Sequence, residues 1–209
     1  MKKIQNIIER VKKTQRGFLD IQKASYELYE EYDSDTVFKL CQEFYEHEAY
    51  QVRALATFVF GYLAATSNKS LLILKEKVSL DKDWRVQEIL AKAFDTFCAD
   101  IGYEQSLPYI HEWLKSSNPN QRRAVTEGLR IWTSRSYFDK NPDIAISLLG
   151  KYKNDESEYV RKSVGNALRD ISKKHRELVE KELESWNITH KNIHQTYKLA
   201  IRFIAKNKG

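Results

Sequence analysis

Proline and glycine are scarce, at 3 and 7 of 209 residues. So few chain breakers exclude a turn-rich β architecture, and the abundance of Leu, Ala, Glu, Lys and Gln favours helices joined by short connections. Cysteine is almost absent as well. Cys41 and Cys98 lie far apart in apolar-periodic segments and lack the spacing of a zinc knuckle or redox pair, so both are expected as small core residues. The longest apolar stretch, Ala54 to Ala65, is too short to span a bilayer, and the N-terminal MKKIQNIIERVKK has no continuous apolar segment of the kind a secretory leader needs. These absences predict a reduced cytoplasmic setting without membrane contact.

A strong charge of one sign is also missing. With 35 basic and 29 acidic residues the net charge is +6, which permits a polyanionic partner without requiring one. No G-x-x-x-x-G-K-[ST], G-x-G-x-x-G or G-x-S-x-G string occurs, so nucleotide hydrolysis, dinucleotide binding and serine hydrolysis have no motif support. His190 and His194 have i, i+4 spacing, but the intervening Lys191, Asn192 and Ile193 form no H-E-x-x-H motif, and no metal or other cofactor is expected. His111 and His175 read as amphipathic-face residues.

What remains is helical periodicity nearly everywhere. Apolar residues recur at Ile4, Ile7, Ile8 and Val11, then Phe18, Ile21, Tyr26 and Leu28, then Val37, Leu40, Cys41 and Phe44. Turn signals at 33–35, 67–70, 116–120 and 139–142 separate about a dozen helices of three to four turns. The first two are expected over Lys2 to Gln15 and Phe18 to Tyr32. Superposing YQVRALATFVFGYLA, DWRVQEILAKAFDTFCA, NQRRAVTEGLRIWTS and EYVRKSVGNALRDIS aligns Leu55, Ile89, Val125 and Val164, at separations of 34, 36 and 39 residues. That is the period of helix-turn-helix repeats that lack private cores and must stack. The expected fold is an all-α superhelix, or solenoid, of HEAT-like repeats in one domain over 1–209. Diverged helices occupy 1–34, recognisable repeats 35–172 and capping helices 173–209.

Each of these helices opens with a basic or amide-rich turn: Arg53; Arg85 and Gln87; Arg122 and Arg123; Arg161 and Lys162. Stacking predicts that such turns line one edge beside helix N-termini, a track suited to phosphates, although a solvated helix face gives the same pattern. Trp113, Trp132, Trp186 and most tyrosines fall at helical spacing, as core or groove-wall residues do.

Over roughly Thr36 to Ile171 three motifs occur in order on these repeats: Trp84-Arg85-Val86-Gln87-Glu88, Gln121-Arg122-Arg123-Ala124-Val125, and Arg161-Lys162-Ser163-Val164-Gly165-Asn166-Ala167-Leu168-Arg169-Asp170. They resemble the W-x-x-x-D, Q-R-A and Q-K-A-I-G-W-x-L-R-E helices of the AlkD-type bacterial DNA alkylation repair glycosylases. The resemblance implies hydrolysis of the N-glycosidic bond of cationic 3-methyl or 7-methyl purines. In that chemistry two tryptophans offer cation–π contact, and an aspartate stabilises the oxocarbenium-like sugar beside water.

Residue by residue the match is partial. Trp84 takes the first tryptophan's place, and Glu88, one turn later on the same face, replaces the aspartate. Its extra methylene moves the carboxylate by about an ångström, which costs roughly 100-fold where positioning dominates. Asn166 stands where the second tryptophan belongs and has no π-face for a cation. Arg123 and Arg169 match two arginines that grip the backbone around a lesion. The family's N-terminal G-x-x-T-P-x-x-R type motif has no counterpart.

The resemblance therefore implies a monomeric bacterial DNA alkylation repair paralogue with a basic, concave surface for double-stranded DNA and weak or absent alkylpurine excision. Trp84 and Glu88 are its candidate catalytic residues, and Arg85, Arg122, Arg123, Arg161, Lys162, Asn166 and Arg169 its candidate DNA contacts. In register, the indole and acid of one hairpin would face arginines of two later ones across a shared hollow. The alternatives are an active glycosylase and a HEAT-type protein-interaction scaffold.

Overall fold

The computed structural model describes residues 2–206, apart from the side chains of Leu129, Ile131 and Trp132. The core or groove-wall reading of Trp132 thus lies outside the described residues. Among those described there are fourteen α-helices, one 3-10 turn and no strand, so the chain is all-α and of the helical-repeat solenoid class.

The chain divides into two compact units, Met1–Gly102 and Tyr103–Gly209, a division that falls inside the segment 35–172 treated above as one run of repeats. The first unit contains α1 (Lys2–Lys12), α2 (Leu19–Glu31), α3 (Ser34–Tyr45), α4 (Tyr50–Leu63), α5 (Asn68–Glu76), a 3-10 turn at Val78–Leu80 and α6 (Trp84–Ile101). The second contains α7 (Leu107–Leu114), α8 (Pro119–Trp132), α9 (Ser136–Lys140), α10 (Pro142–Gly150), α11 (Glu158–Ile171), α12 (Arg176–Glu184), α13 (Lys191–Ala200) and α14 (Arg202–Lys206).

Local chemistry sets the helix starts. Asp33, Ser67 and Asp83 are extended N-caps whose side chains accept the backbone N–H of Thr36, Ser70 and Arg85, satisfying donors that have no partner within the helix. The four aligned repeat positions are core residues: Leu55, Ile89, Val125 and Val164 are each 2% exposed or less. Cys41 and Cys98 are buried free thiols, and burial alone pushes the Cys41 thiol well above its ordinary range. Trp113 and Trp186 are buried too.

In the first unit α4 packs on α2, α3 and α6. It runs so close to α6 that a Cβ built at Gly61 would lie 2.8 Å from both Cα and Cβ of Ala93. In the second unit α11 packs on both α8 and α13.

One device recurs in both units. The fourth residue of each inner helix reaches back to carbonyls of the loop preceding that helix. Arg53 of α4 donates to His47 and Glu48, and Gln87 of α6 to Val78 and Asp81; Arg122 of α8 donates to Ser116 and Ser117, and Arg161 of α11 to Asp155 and Glu156. The three arginines also reach forward into the next repeat. Arg53 forks onto Asp81 at 2.7 and 3.2 Å, Arg122 onto Asp155 at 2.7 and 2.8 Å, and Arg161 donates to Gln195 at 2.8 Å. Planar, bidentate guanidinium geometry suits this role, and it ties consecutive repeats together.

The N-terminal helices are shorter than periodicity predicts. α1 ends at Lys12 and α2 begins at Leu19, because the loop between them turns at Gly17, whose φ of +74° lies in the left-handed region that favours glycine. Tyr50 and Gln51, in the first turn of α4, pin this loop through bonds from their side chains to the carbonyls of Lys12 and Thr14.

Candidate functional site

The first unit contains a cavity of about 420 Å³ with the pinned loop on one side and the first turns of α4 and α6 on the other. Its walls include Arg16, Phe18, Tyr50, Trp84, Arg85 and Glu88. Trp84 and Glu88 thus open onto the same space, as one turn of helix requires, and the indole at the rim is 69% exposed. A volume of this size lies within the range of about 300–1,000 Å³ that small-ligand sites occupy.

Arg85 is held rigidly at this cavity. Its Nε donates to Asp83 at 2.9 Å and its Nη2 to the other carboxylate oxygen at 2.6 Å. Its guanidinium lies 3.3 Å from the ring centroid of Tyr50. The hydrogen bonds from Arg85 hold the Asp83 carboxyl below its ordinary range, and those same bonds raise Arg85 above its own. Tyr50 is fixed in turn by its hydroxyl, which donates to the Thr14 carbonyl at 3.3 Å. The Phe18 ring also faces a cation, Lys92 Nζ, at 4.3 Å.

Of the expected site residues, then, Trp84, Arg85 and Glu88 come together in one cavity. Arg16, Phe18 and Tyr50 were not identified from sequence. Only Gly17 signalled the loop that carries two of them, and nothing local connects Tyr50 to Trp84.

In the second unit, α8 and α11 share a polar face. Glu127 accepts from Arg130 and, at 2.9 Å, from the Ser163 hydroxyl. Asp170 collects Arg130 at 3.3 Å, Arg169 at 3.2 Å and Lys173 at 2.8 Å. Burial pushes the Asp170 carboxyl upward, but hydrogen bonds from Lys173 and Arg169 outweigh it and hold the group below its ordinary range. Asn166 accepts from Arg169 Nη1 at 3.1 Å, so these two expected residues touch. Arg123 is half-buried, and Lys162 is exposed in an ion pair with Glu158 at 2.7 Å.

Two expected DNA contacts need correction. The Arg122 side chain is only 13% exposed and Arg161 is 7% exposed, and the guanidinium of each is directed to loop carbonyls and to Asp155 or Gln195. They hold repeats together, and a basic helix turn in the sequence does not distinguish that inward role from a phosphate track. His190 and His194 are exposed, and among the described residues no group of three or more His, Cys, Asp or Glu side chains is placed to hold a metal ion. No described helix is long and apolar enough to cross a membrane.

Comparison with known proteins accords with this architecture. The chain resembles AlkD2 from Streptococcus mutans, at 48% identity with a TM-score of 0.93, covering 97% of each chain. It shares the fold of the alkylpurine DNA glycosylase AlkC from Pseudomonas fluorescens, solved bound to DNA containing an abasic site analog. There the identity is 23% and the TM-score 0.70, over 90% of this chain and 52% of that one. An uncharacterised Bacillus subtilis protein, YhaZ, is 36% identical over 110 residues, which are 51% of this chain and 31% of the relative, so the match spans under a third of that protein. The sequence profile described as DNA alkylation repair enzyme matches residues 8–203, nearly the whole chain, and the protein belongs to that family.

Proposed function

We propose that this chain is a DNA-binding member of the family whose excision of cationic alkylpurines is weak or absent. The observation that carries the reading is the cavity rim of the first unit, where an exposed indole and a carboxylate lie beside two arginines, Arg16 and Arg85. Aromatic and guanidinium groups together suit nucleic acid, the one by stacking and the other by phosphate contact. Three features support weak excision. The acid is glutamate, one methylene longer than the family's aspartate. Asn166 replaces a tryptophan and has its side-chain oxygen engaged by Arg169. The family's N-terminal DNA-contacting motif has no counterpart in the sequence.

The DNA contacts of this reading are Arg16, Arg85, Arg123, Lys162, Asn166 and Arg169; Arg122 and Arg161 are not among them. The buried thiols suit a reducing, cytoplasmic setting.

Two measurements test the proposal. Affinity for a labelled duplex should fall steeply as salt rises, and Arg169→Ala should reduce the salt slope by about 1, the signature of one lost phosphate contact. Release of 7-methylguanine from methylated duplex should stay near background for both wild type and Glu88→Ala. Robust release that Glu88→Ala abolishes would establish an active glycosylase instead, and no duplex binding at any salt would leave the protein-scaffold reading.

A further inference from the structure

The cavity of the first unit says more about its ligand than the family relationship does. A cationic base gains in an aromatic site because ring faces attract positive charge. Here the two rings that form the inner wall already face cations of the protein, Arg85 on Tyr50 at 3.3 Å and Lys92 on Phe18 at 4.3 Å. Arg16 adds a third positive charge to the lining. Opposing these are two carboxylates, Asp83 and Glu88, and Asp83 is engaged by both Nε and Nη2 of Arg85. A positively charged ligand therefore meets like charges at close range, where a partly dry cavity screens them poorly.

The same features favour an uncharged flat ligand. Arg85 is clamped by Asp83 on its edge and by Tyr50 on one face, while its side chain remains 41% exposed and lines the cavity. Its other face is a pre-oriented plane of the kind on which unstacked bases lie. Trp84 supplies a second plane at the rim. Glu88 is acceptor-only when ionised, so it matches a base that offers amino or ring N–H donors.

We propose that this cavity takes a neutral, amino-bearing nucleobase, stacked on the Arg85 guanidinium and hydrogen-bonded to Glu88, in preference to a cationic alkylated one. This rests on reading the cavity as the face the protein turns to nucleic acid.

The test is a titration of the ¹⁵N-labelled full chain with guanosine, with 7-methylguanosine in mildly acidic buffer where it keeps its positive charge, and with 8-methylguanosine as a neutral control of equal bulk. The Trp84 indole N–H and the Arg85 Nε–H report on the cavity. Both neutral nucleosides should shift these signals at concentrations about tenfold lower than the cationic one, or lower still. In Arg85→Ala, which bares the Tyr50 ring, the preference should vanish or invert, while Arg85→Lys should keep the discrimination against the cation but weaken binding of the neutral bases, because the plane is lost. Equal or tighter binding of 7-methylguanosine by wild type overturns the proposal. So do an undiminished preference in Arg85→Ala, 8-methylguanosine behaving like 7-methylguanosine, or no shift at Trp84 with any nucleoside. Retained duplex binding alongside any of these sinks this inference alone. An intact nucleoside preference without duplex binding sinks the DNA reading alone.

Discussion

Removing the Arg122 guanidinium distinguishes a structural arginine from a DNA contact. In Arg122→Ala the Asp155 side chain, 5% exposed, loses a two-pronged partner at 2.7 and 2.8 Å, and the Ser116 and Ser117 carbonyls lose donors at 2.8 and 3.0 Å. Breaking a buried pair by deleting one member costs about 3–5 kcal/mol, because the remaining charge stays desolvated. Asp155 keeps one bond, from the Ser157 N–H at 2.8 Å, and Ser117 is exposed to water, so the lower end applies. A loss of about 3 kcal/mol lowers the melting temperature of a chain this long by roughly 6–12 °C. Arg122→Lys should recover less than half of it, since an ammonium cannot fork. Asp155→Ala combined with Arg122→Ala should be less destabilised than the two single changes added. Thermal and urea unfolding read these effects, and duplex titrations at several salt concentrations read the alternative. If Arg122→Ala stays within about 1 kcal/mol of wild type and lowers the salt slope by about 1, the guanidinium contacts phosphate and its inward assignment fails.

Gly61→Ala should destabilise despite alanine's better helix propensity, worth about 1 kcal/mol. The new methyl meets α6 backbone at 2.8 Å, an overpacking cost of about 1–3 kcal/mol, and Ala93→Gly should relieve it; a variant as stable as wild type in urea would contradict the close approach. The Asp83 carboxyl is held below its ordinary value, so its pairing with Arg85 stabilises the fold above the usual carboxylate range, near pH 4, and is lost as pH falls through the depressed value. With the two side chains 17% and 41% exposed the contribution is under about 1 kcal/mol. Melting curves should therefore show a small gap between wild type and Asp83→Asn at neutral pH that closes toward about pH 3. A gap independent of pH would mean that the pair does not form.

Much of the fold was legible because helical periodicity is a local property. Buried positions spaced to lie on one helical stripe identified Leu55, Ile89, Val125 and Val164 as core, and all four are. The i, i+4 spacing of Trp84 and Glu88 dictated a common face, and both line one cavity. The α1–α2 connection was harder to read, because its length depends on Gly17 adopting a left-handed turn and on Tyr50 and Gln51, more than thirty residues away, tying it down.

The amino-acid sequence by itself determined the helices, their repeat length, the apolar stripe of each and the family. All of these follow from composition and from spacings within a few turns. Only the tertiary structure decided which arginines serve the fold and which line a cavity. Arg85 and Arg122 both sit in the opening turn of an inner helix, yet one stacks on Tyr50 beside open space and the other is sealed against Asp155. The difference arises from partners 33 and 35 residues away in the chain, and a guanidinium takes the direction in which a carboxylate, a carbonyl or a ring is within reach.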